Sequence, residues 1–352
     1  MNHVFHLIFI QFIVLSLGLG QNLFPILGGQ RAGTSIFTFL NIGVSARAVG
    51  MGESVVALNQ DASSIYYNPA TIAQLDKTEI YFSQIQWPAD VNYDYFSATR
   101  HINGQHYLGV SAGILHMAPM METTEYHPDG TGNYFTFQDR FFGLTYGAKM
   151  TDRFSFGVTV KHVSEDLADF GMSAVLIDLG TFYWTGYKSL RFCASLSHFG
   201  KQTSPSGTFN KRILDQGSGE EIVEMTDFEK FSPPTMFRVG AAIDPIDKVN
   251  QHLTVSLQLN HPVDNAEYIV FGLEYSFMKM LFLRTGYKSN KNEENFTMGQ
   301  DHAYQLGCFN GAQNNLSFRW NYYTESGFQG GTSMEPKGKA GSSSGLGAWR
   351  DN

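Results

Sequence analysis

Beyond its first residues the sequence has no apolar run near the roughly 18 residues that a spanning helix needs, which excludes a helical membrane protein. It also lacks a basic excess. Its 24 Lys and Arg stand against 32 Asp and Glu, for a formal net charge of −8, and without a positive footprint a nucleic-acid partner is excluded. No His-Glu-x-x-His or paired Cys-x-x-Cys spacing offers a metal site. The histidines from His101 to His302 are scattered near expected strand ends, and none sits in a Ser or Cys nucleophile motif. The chain is therefore expected to be neither an enzyme nor the holder of a cofactor. Gly50-Met-Gly52 is not a dinucleotide loop, because Val55 stands where the third glycine belongs and no strand-to-helix context follows.

What the chain has is alternation. Phe154, Phe156, Val158 and Val160 interleave with Ser155, Gly157, Thr159 and Lys161. Leu253, Val255, Leu257 and Leu259 interleave with Thr254, Ser256, Gln258 and Asn260, and Leu316, Phe318, Trp320 and Tyr322 with Ser317, Arg319 and Asn321. A period of two gives each strand one apolar and one polar face. The gaps between strands alternate too. Tight turns fall at 101–105, 150–153, 184–188, 244–250, 277–280 and 311–314, and the intervening gaps at 115–139, 163–172, 200–234 and 289–302 are longer, whereas 87–90 and 261–265 stay short. Short turns on one side and long loops on the other are the habit of outer-membrane barrels. A large soluble sandwich would also alternate. However, Lys149, Lys161, Arg191, Arg238, Glu274, Arg284 and Arg319 fall on the inward face, where an apolar core would leave them unpaired. The expected fold is all-β, a transmembrane antiparallel barrel over residues 78–324. A mildly negative mean hydropathy with 14 % aromatic residues suits it, since only alternate residues face lipid.

The ends differ from the barrel. An apolar block from Val4 to Leu19, then Gly18 and Gly20, reads as a signal peptide over residues 1–20. Residues 21–77 form a separate segment before the first strand. About thirteen strands are readable, whereas single-chain bacterial barrels carry an even number. The last one owed is replaced by a Gly/Ser-rich tail over 325–352 that reads as linker. A frameshift or truncation near Gly330 is the preferred explanation over a stub at 332–334, and it would leave the first and thirteenth strands facing a poorly closed seam. Cys193 shares its register with Arg191 and faces the lumen, whereas Cys308 follows Tyr304 and Leu306 and faces lipid. Side chains on opposite faces cannot meet disulfide geometry, so no bond is expected. Trp87 and Trp184 end strands on opposite sides and are expected at the two headgroup levels.

The segment before the barrel is dense in small residues, among them Gly43, Ser45, Ala46, Ala48, Gly50, Gly52 and Ala57, which allow close backbone packing inside a barrel mouth. Asn68-Pro69 reads as a turn. The run Phe39-Leu-Asn-Ile-Gly-Val-Ser-Ala-Arg-Ala-Val-Gly-Met-Gly52, the Asp61-Ala62 pair and the Asn68-Pro69-Ala70 turn closely resemble the PorV/PorQ family of outer-membrane proteins, a branch of the FadL-like barrels. The resemblance continues through 130–135, 151–161, 178–183 and 198–200. It implies a barrel of about fourteen strands plugged by a hatch carrying Gly43, Ala46, Arg47, Gly50, Met51, Gly52, Asp61, Asn68, Pro69 and Ala70.

The same resemblance implies an accessory of the type IX secretion system in the outer membrane of a Gram-negative bacterium, with the translocon and secreted cargo as partners. The stretches 117–137 and 212–231, the second acidic, are expected to offer an outer protein-binding surface or simply to cap the barrel. The alternative is a FadL-like transporter of hydrophobic small molecules, with Phe37, Phe39, Leu40, Ile42 and Met51 as pocket residues. A hatch also needs such apolar contacts merely to stay docked, and that reading of the five is preferred.

Overall fold

The computed structural model describes residues 33–58, 61–75, 77–87, 90–168, 170–214, 221–278, 281–290, 294–297 and 317–324. The expected signal peptide, Cys308 and the Gly/Ser-rich tail lie outside them. The strands are β1 (Glu79–Gln86), β2 (Asn92–Asn103), β3 (His106–His116), β4 (Met120–Met121), β5 (Tyr134–Phe135), β6 (Phe137–Lys149), β7 (Phe154–Leu167), β8 (Phe170–Trp184) and β9 (Arg191–Gly200). They continue with β10 (Thr208–Leu214), β11 (Glu221–Asp227), β12 (Met236–Lys248), β13 (Gln251–Pro262), β14 (Tyr268–Phe277), β15 (Leu281–Asn290), β16 (Glu294–Thr297) and β17 (Ser317–Thr324).

Thirteen of them form one sheet in the order β16-β15-β14-β13-β12-β9-β8-β7-β6-β3-β2-β1-β17. The remaining four pair as small hairpins, β4 with β5 and β10 with β11, inside the two long loops. Chain neighbours in the large sheet are antiparallel, as tight turns require.

Two expectations are corrected. The stretch 163–172 is not a loop, because β7 and β8 stay paired up to Leu167↔Phe170. Ala168 takes φ 50° at the turn. Ser164, Glu165 and Asp166 look like loop residues only because they extend the ladder past the apolar belt into a polar rim. The seam between the first and thirteenth strands is not left open either. β1 and β17 pair in parallel from Glu79↔Ser317 to Gln86↔Thr324. Strands that alternate in direction bring an odd-numbered last strand back parallel to the first, so a parallel ladder is the one that can satisfy both edges. Among the described residues β16 and β17 are not paired with each other.

The burial pattern is inverted relative to a soluble sheet. On β7, Ser155, Thr159 and Lys161 are buried while Val160 is 48 % exposed; Leu144, Val175 and Leu257 are 56, 58 and 54 % exposed. Such a belt of exposed aliphatic and aromatic side chains far exceeds what a water-facing surface carries, and it is the face a bilayer requires. On β6 the belt runs from Phe142 to the turn residue Met150, roughly 20 Å once strand rise and tilt are taken together. Above it lies a rim of paired polar groups. Arg140 meets Asp166 at 2.8 Å and donates to Ser164 at 2.9 Å, and His116 lies 3.3 Å from Asp94.

Candidate functional site

Residues 36–75 occupy the inner face of this wall. The segment consists of a 3-10 turn (Thr38–Asn41), a short helix α1 (Ala46–Gly50) and two further 3-10 turns (Ala62–Tyr66 and Pro69–Gln74). Local chemistry starts each of the last two. The Asp61 carboxylate accepts from the Ser63 backbone N–H at 3.0 Å and the Asn68 side-chain oxygen from that of Ala70 at 3.0 Å, with proline in the first turn where its missing N–H is harmless.

Eleven strands of the wall, β1 to β3, β6 to β9 and β12 to β15, touch this segment from within. Ser83 of β1 donates to the Val44 carbonyl at 2.6 Å and Ser97 of β2 to that of Ala62 at 3.0 Å. Gly109 of β3 and Gly147 of β6 face Ile72, and Gly157 of β7 and Gly180 of β8 face Pro69 and Asn68. Arg191 of β9 donates to the Ala57 carbonyl at 2.7 Å, Gly240 of β12 faces Val56, and Gln258 of β13 accepts from the Val56 N–H at 3.0 Å. Glu274 of β14 pairs with Arg47, and Lys288 of β15 with Glu53 at 2.7 Å. A 40-residue stretch can reach the inner face of every one of these strands only if the sheet curls around it. The segment lies inside the curled wall, and for that position it is called the plug.

The second half of the plug is seated on glycines. A Cβ on Gly157 would lie 2.3 Å from the Pro69 carbonyl carbon, and one on Gly180 would lie 2.0 Å from the Asn68 side-chain oxygen. The amide of Asn68 also donates to the Val56 and Thr181 carbonyls at 3.0 and 3.1 Å, tying the two halves of the plug to β8. Gly52 makes the matching approach in the first half: a Cβ on Gly286 would meet its backbone nitrogen at 2.1 Å, and one on Gly272 the Met51 carbonyl oxygen at 3.0 Å. Gly43 is crowded by Glu53 and Val49. These strand glycines are seating positions that motif reading misses. Their signal is a glycine on the polar face inside a strand, where the residue otherwise weakens the ladder.

Ion pairs hold the first half. Arg47 binds Glu274 through two bonds of 2.8 and 2.9 Å, and Arg284 reaches the same carboxylate at 2.6 Å. Burial works to lower the pKa of the Arg47 guanidinium, but the facing Glu274 outweighs it and the net shift is upward. Further round, Arg191 grips Asp244 at 2.7 and 3.2 Å. Lys161 lies 2.5 Å from Asp178 and 3.1 Å from His198 Nδ1, with its ammonium over the Tyr66 and Phe141 rings. The Tyr66 hydroxyl, raised in pKa by burial, donates to the Leu40 carbonyl at 2.7 Å. Ala46 and Ala70 are buried spacers.

On the side of the long loops the plug meets the wall through apolar and aromatic groups. Phe37, Phe39 and Leu40 are buried together with Tyr93, Tyr95, Leu115 and Phe141. The Phe39 ring lies 6.2 Å from Tyr93, edge to face, and 6.4 Å from Phe141. Ile42 packs partly buried against this cluster, and Met51 joins it from the β14 and β15 side. The tryptophans lie at opposite rims as expected, but their rings turn inward rather than toward lipid. Trp87 and Trp184 stand at opposite ends of the wall, yet both pack against the buried cluster, and Trp184 donates to the Gln74 side chain at 3.0 Å. Their strand parity turns them inward, and the plug supplies a partner there. Cys193 is buried on the inner face.

No protein-family model and no curated protein matches the chain. Among solved structures it is similar to CymD, a monoaromatic hydrocarbon channel, at 14 % identity over 72 % of this chain and 86 % of that one, with a TM-score of 0.47. It is similar to the toluene transporter TodX of Pseudomonas putida at 14 % identity over 70 and 83 %, TM-score 0.44. A FadL homologue of Pseudomonas aeruginosa aligns at 9 % identity over 74 and 81 %, TM-score 0.43. At these scores the likeness is one of general outline.

Proposed function

We propose that the protein is an outer-membrane channel for hydrophobic small molecules, closed at rest by residues 36–75. The observation that carries this reading is the aromatic cluster of Phe37, Phe39, Leu40, Tyr93, Tyr95 and Phe141 at the loop side of the lumen. The cluster is buried at rest, so a solute from outside reaches it once the leading half of the plug shifts, and an apolar lining with a few polar groups behind it suits apolar ligands better than ions. The inverted belt supports the membrane setting, and the outer membrane is where strand-built walls of this kind span. Proteoliposomes test it. The intact protein is expected to speed entry of a monoaromatic probe over protein-free vesicles, and equal rates would end the proposal.

A second reading is favoured by the outer loops. Met120, Met121, Tyr126 and Tyr134 in the first loop, and Met225 in the second, are exposed beyond the belt, Tyr126 at 87 %. Exposed methionine and tyrosine suit a protein partner, which fits the PorV/PorQ resemblance and secreted type IX cargo. Binding of a purified cargo C-terminal domain, weakened by Tyr126→Ser with Tyr134→Ser, is the expected result. No measurable binding to the unmodified protein would remove this reading.

A further inference from the structure

We infer that the base of the second long loop, residues 202–206 and 231–235, is a strap that holds the leading half of the plug, so that whatever lifts the loop releases that half alone. Residues 35 and 36 do not merely lie under this loop. Ser35 forms a parallel bridge with Ser232, and the Ile36 N–H donates to the Ser232 carbonyl at 3.2 Å. The strap is in turn closed on itself. Thr203 and Phe231 exchange backbone bonds of 3.0 and 2.9 Å, and Gln202 donates to the Ser232 hydroxyl at 3.0 Å. It is tied to the wall where Thr235 donates to the His198 carbonyl at 3.0 Å and the Ser206 N–H to that of Gly171 at 2.9 Å. Phe231 reaches down into the same apolar cluster as Phe37 and Phe39.

Immediately past the bridge the plug turns. Phe37 takes φ 57°, a left-handed conformation that a large side chain adopts only when its surroundings impose it, and its N–H donates to Glu165 at 3.1 Å. Loop and plug therefore form one hydrogen-bonded unit at the outer end of the lumen. Among the described residues the second half makes no hydrogen bond to the strap itself, and it meets the first half where Asn68 donates to the Val56 carbonyl, Tyr66 donates to the Leu40 carbonyl and the Tyr67 hydroxyl accepts from the Val44 N–H. Residues 68–74 rest on Gly147, Gly157 and Gly180 and are fixed at the inner end by Gln74, which donates to Ser155 at 2.8 Å and accepts from Trp184. The two halves thus have different attachments, and only the first is bonded directly to a surface reachable from outside.

Amide hydrogen exchange on the full chain in detergent or vesicles separates the halves without reference to transport. In a background where Cys193 and Cys308 are serine, Ser35→Cys with Ser232→Cys places a pair at bridge positions. Oxidising it is expected to slow exchange over residues 46–58 relative to the reduced form and to leave 68–74 unchanged. Phe231→Ala, which loosens the strap without adding a bond, is expected to speed exchange over 46–58 by about tenfold with 68–74 again unchanged. If both halves respond together, or the first half ignores both changes, there is no strap. A split response in a protein that admits no hydrophobic probe would leave the strap standing and remove the channel reading on which its purpose rests.

Discussion

Glu274 is the residue on which the leading half of the plug most depends, since one carboxylate serves both Arg47 and Arg284. Glu274→Gln leaves two buried guanidinium groups without their counter-charge, and breaking a buried pair of this kind costs about 3–5 kcal/mol. A clear fall in the urea midpoint, followed by the heat-modifiability of the folded band on gels, is expected; an unchanged midpoint would show the triad to be dispensable. Gly286→Ala tests steric fit. A methyl group there meets the backbone of Met51 and Gly52 at 2.2 and 2.1 Å, and overpacking of this kind costs about 1–3 kcal/mol. The same assay should show the loss. Arg47 and Asn68 stand out in the sequence through their motifs and Glu274 only as an inward charge, whereas the partners of Glu274, Gly157 and Gly286 do not, because they lie far along the chain, Arg47 being 227 residues from Glu274.

Strands were the most legible elements. The interleaving of Ser155, Gly157, Thr159 and Lys161 with apolar neighbours fixes which face is which, and their burial follows that parity. The end of β7 was not legible, because Glu165 and Asp166 are polar for the rim they form and polarity alone reads as loop. Leu144 lies within the outward belt, so Leu144→Arg is expected to cost about 2–4 kcal/mol for a charge near the bilayer midplane, measured by folding into vesicles across a urea series. A cost near zero would place β6 outside the bilayer. Trp184, turned inward onto Gln74, should be little quenched by brominated lipid in a variant that retains it as the sole tryptophan; strong quenching would put its ring back in the headgroups.

For the molecule as a whole, the long loops define the outside. Protease added to intact cells is expected to cut first between residues 200 and 234, and first cleavage at 101–105 would invert the topology. Deleting residues 33–58 removes the ion-paired half of the plug while leaving the glycine-seated half attached to β1. The barrel is expected to assemble and to conduct more in planar bilayers. Unchanged conductance would mean that this half does not block the path.

The sequence by itself determined the all-β class, the two-faced strands and, among the described residues, the tight turns other than the one between β7 and β8, because alternation and turn chemistry act over a few residues. It also marked residues 33–77 as different in texture from the strands that follow. Only the tertiary structure decided which strand meets which part of that segment. Seating Pro69 on Gly157, Gly52 on Gly286 and Ser232 on Ile36 depends on register and curvature across the whole sheet. The parallel ladder between β1 and β17 was decided there too, since a local pattern records a strand's faces but not the direction from which its last neighbour returns.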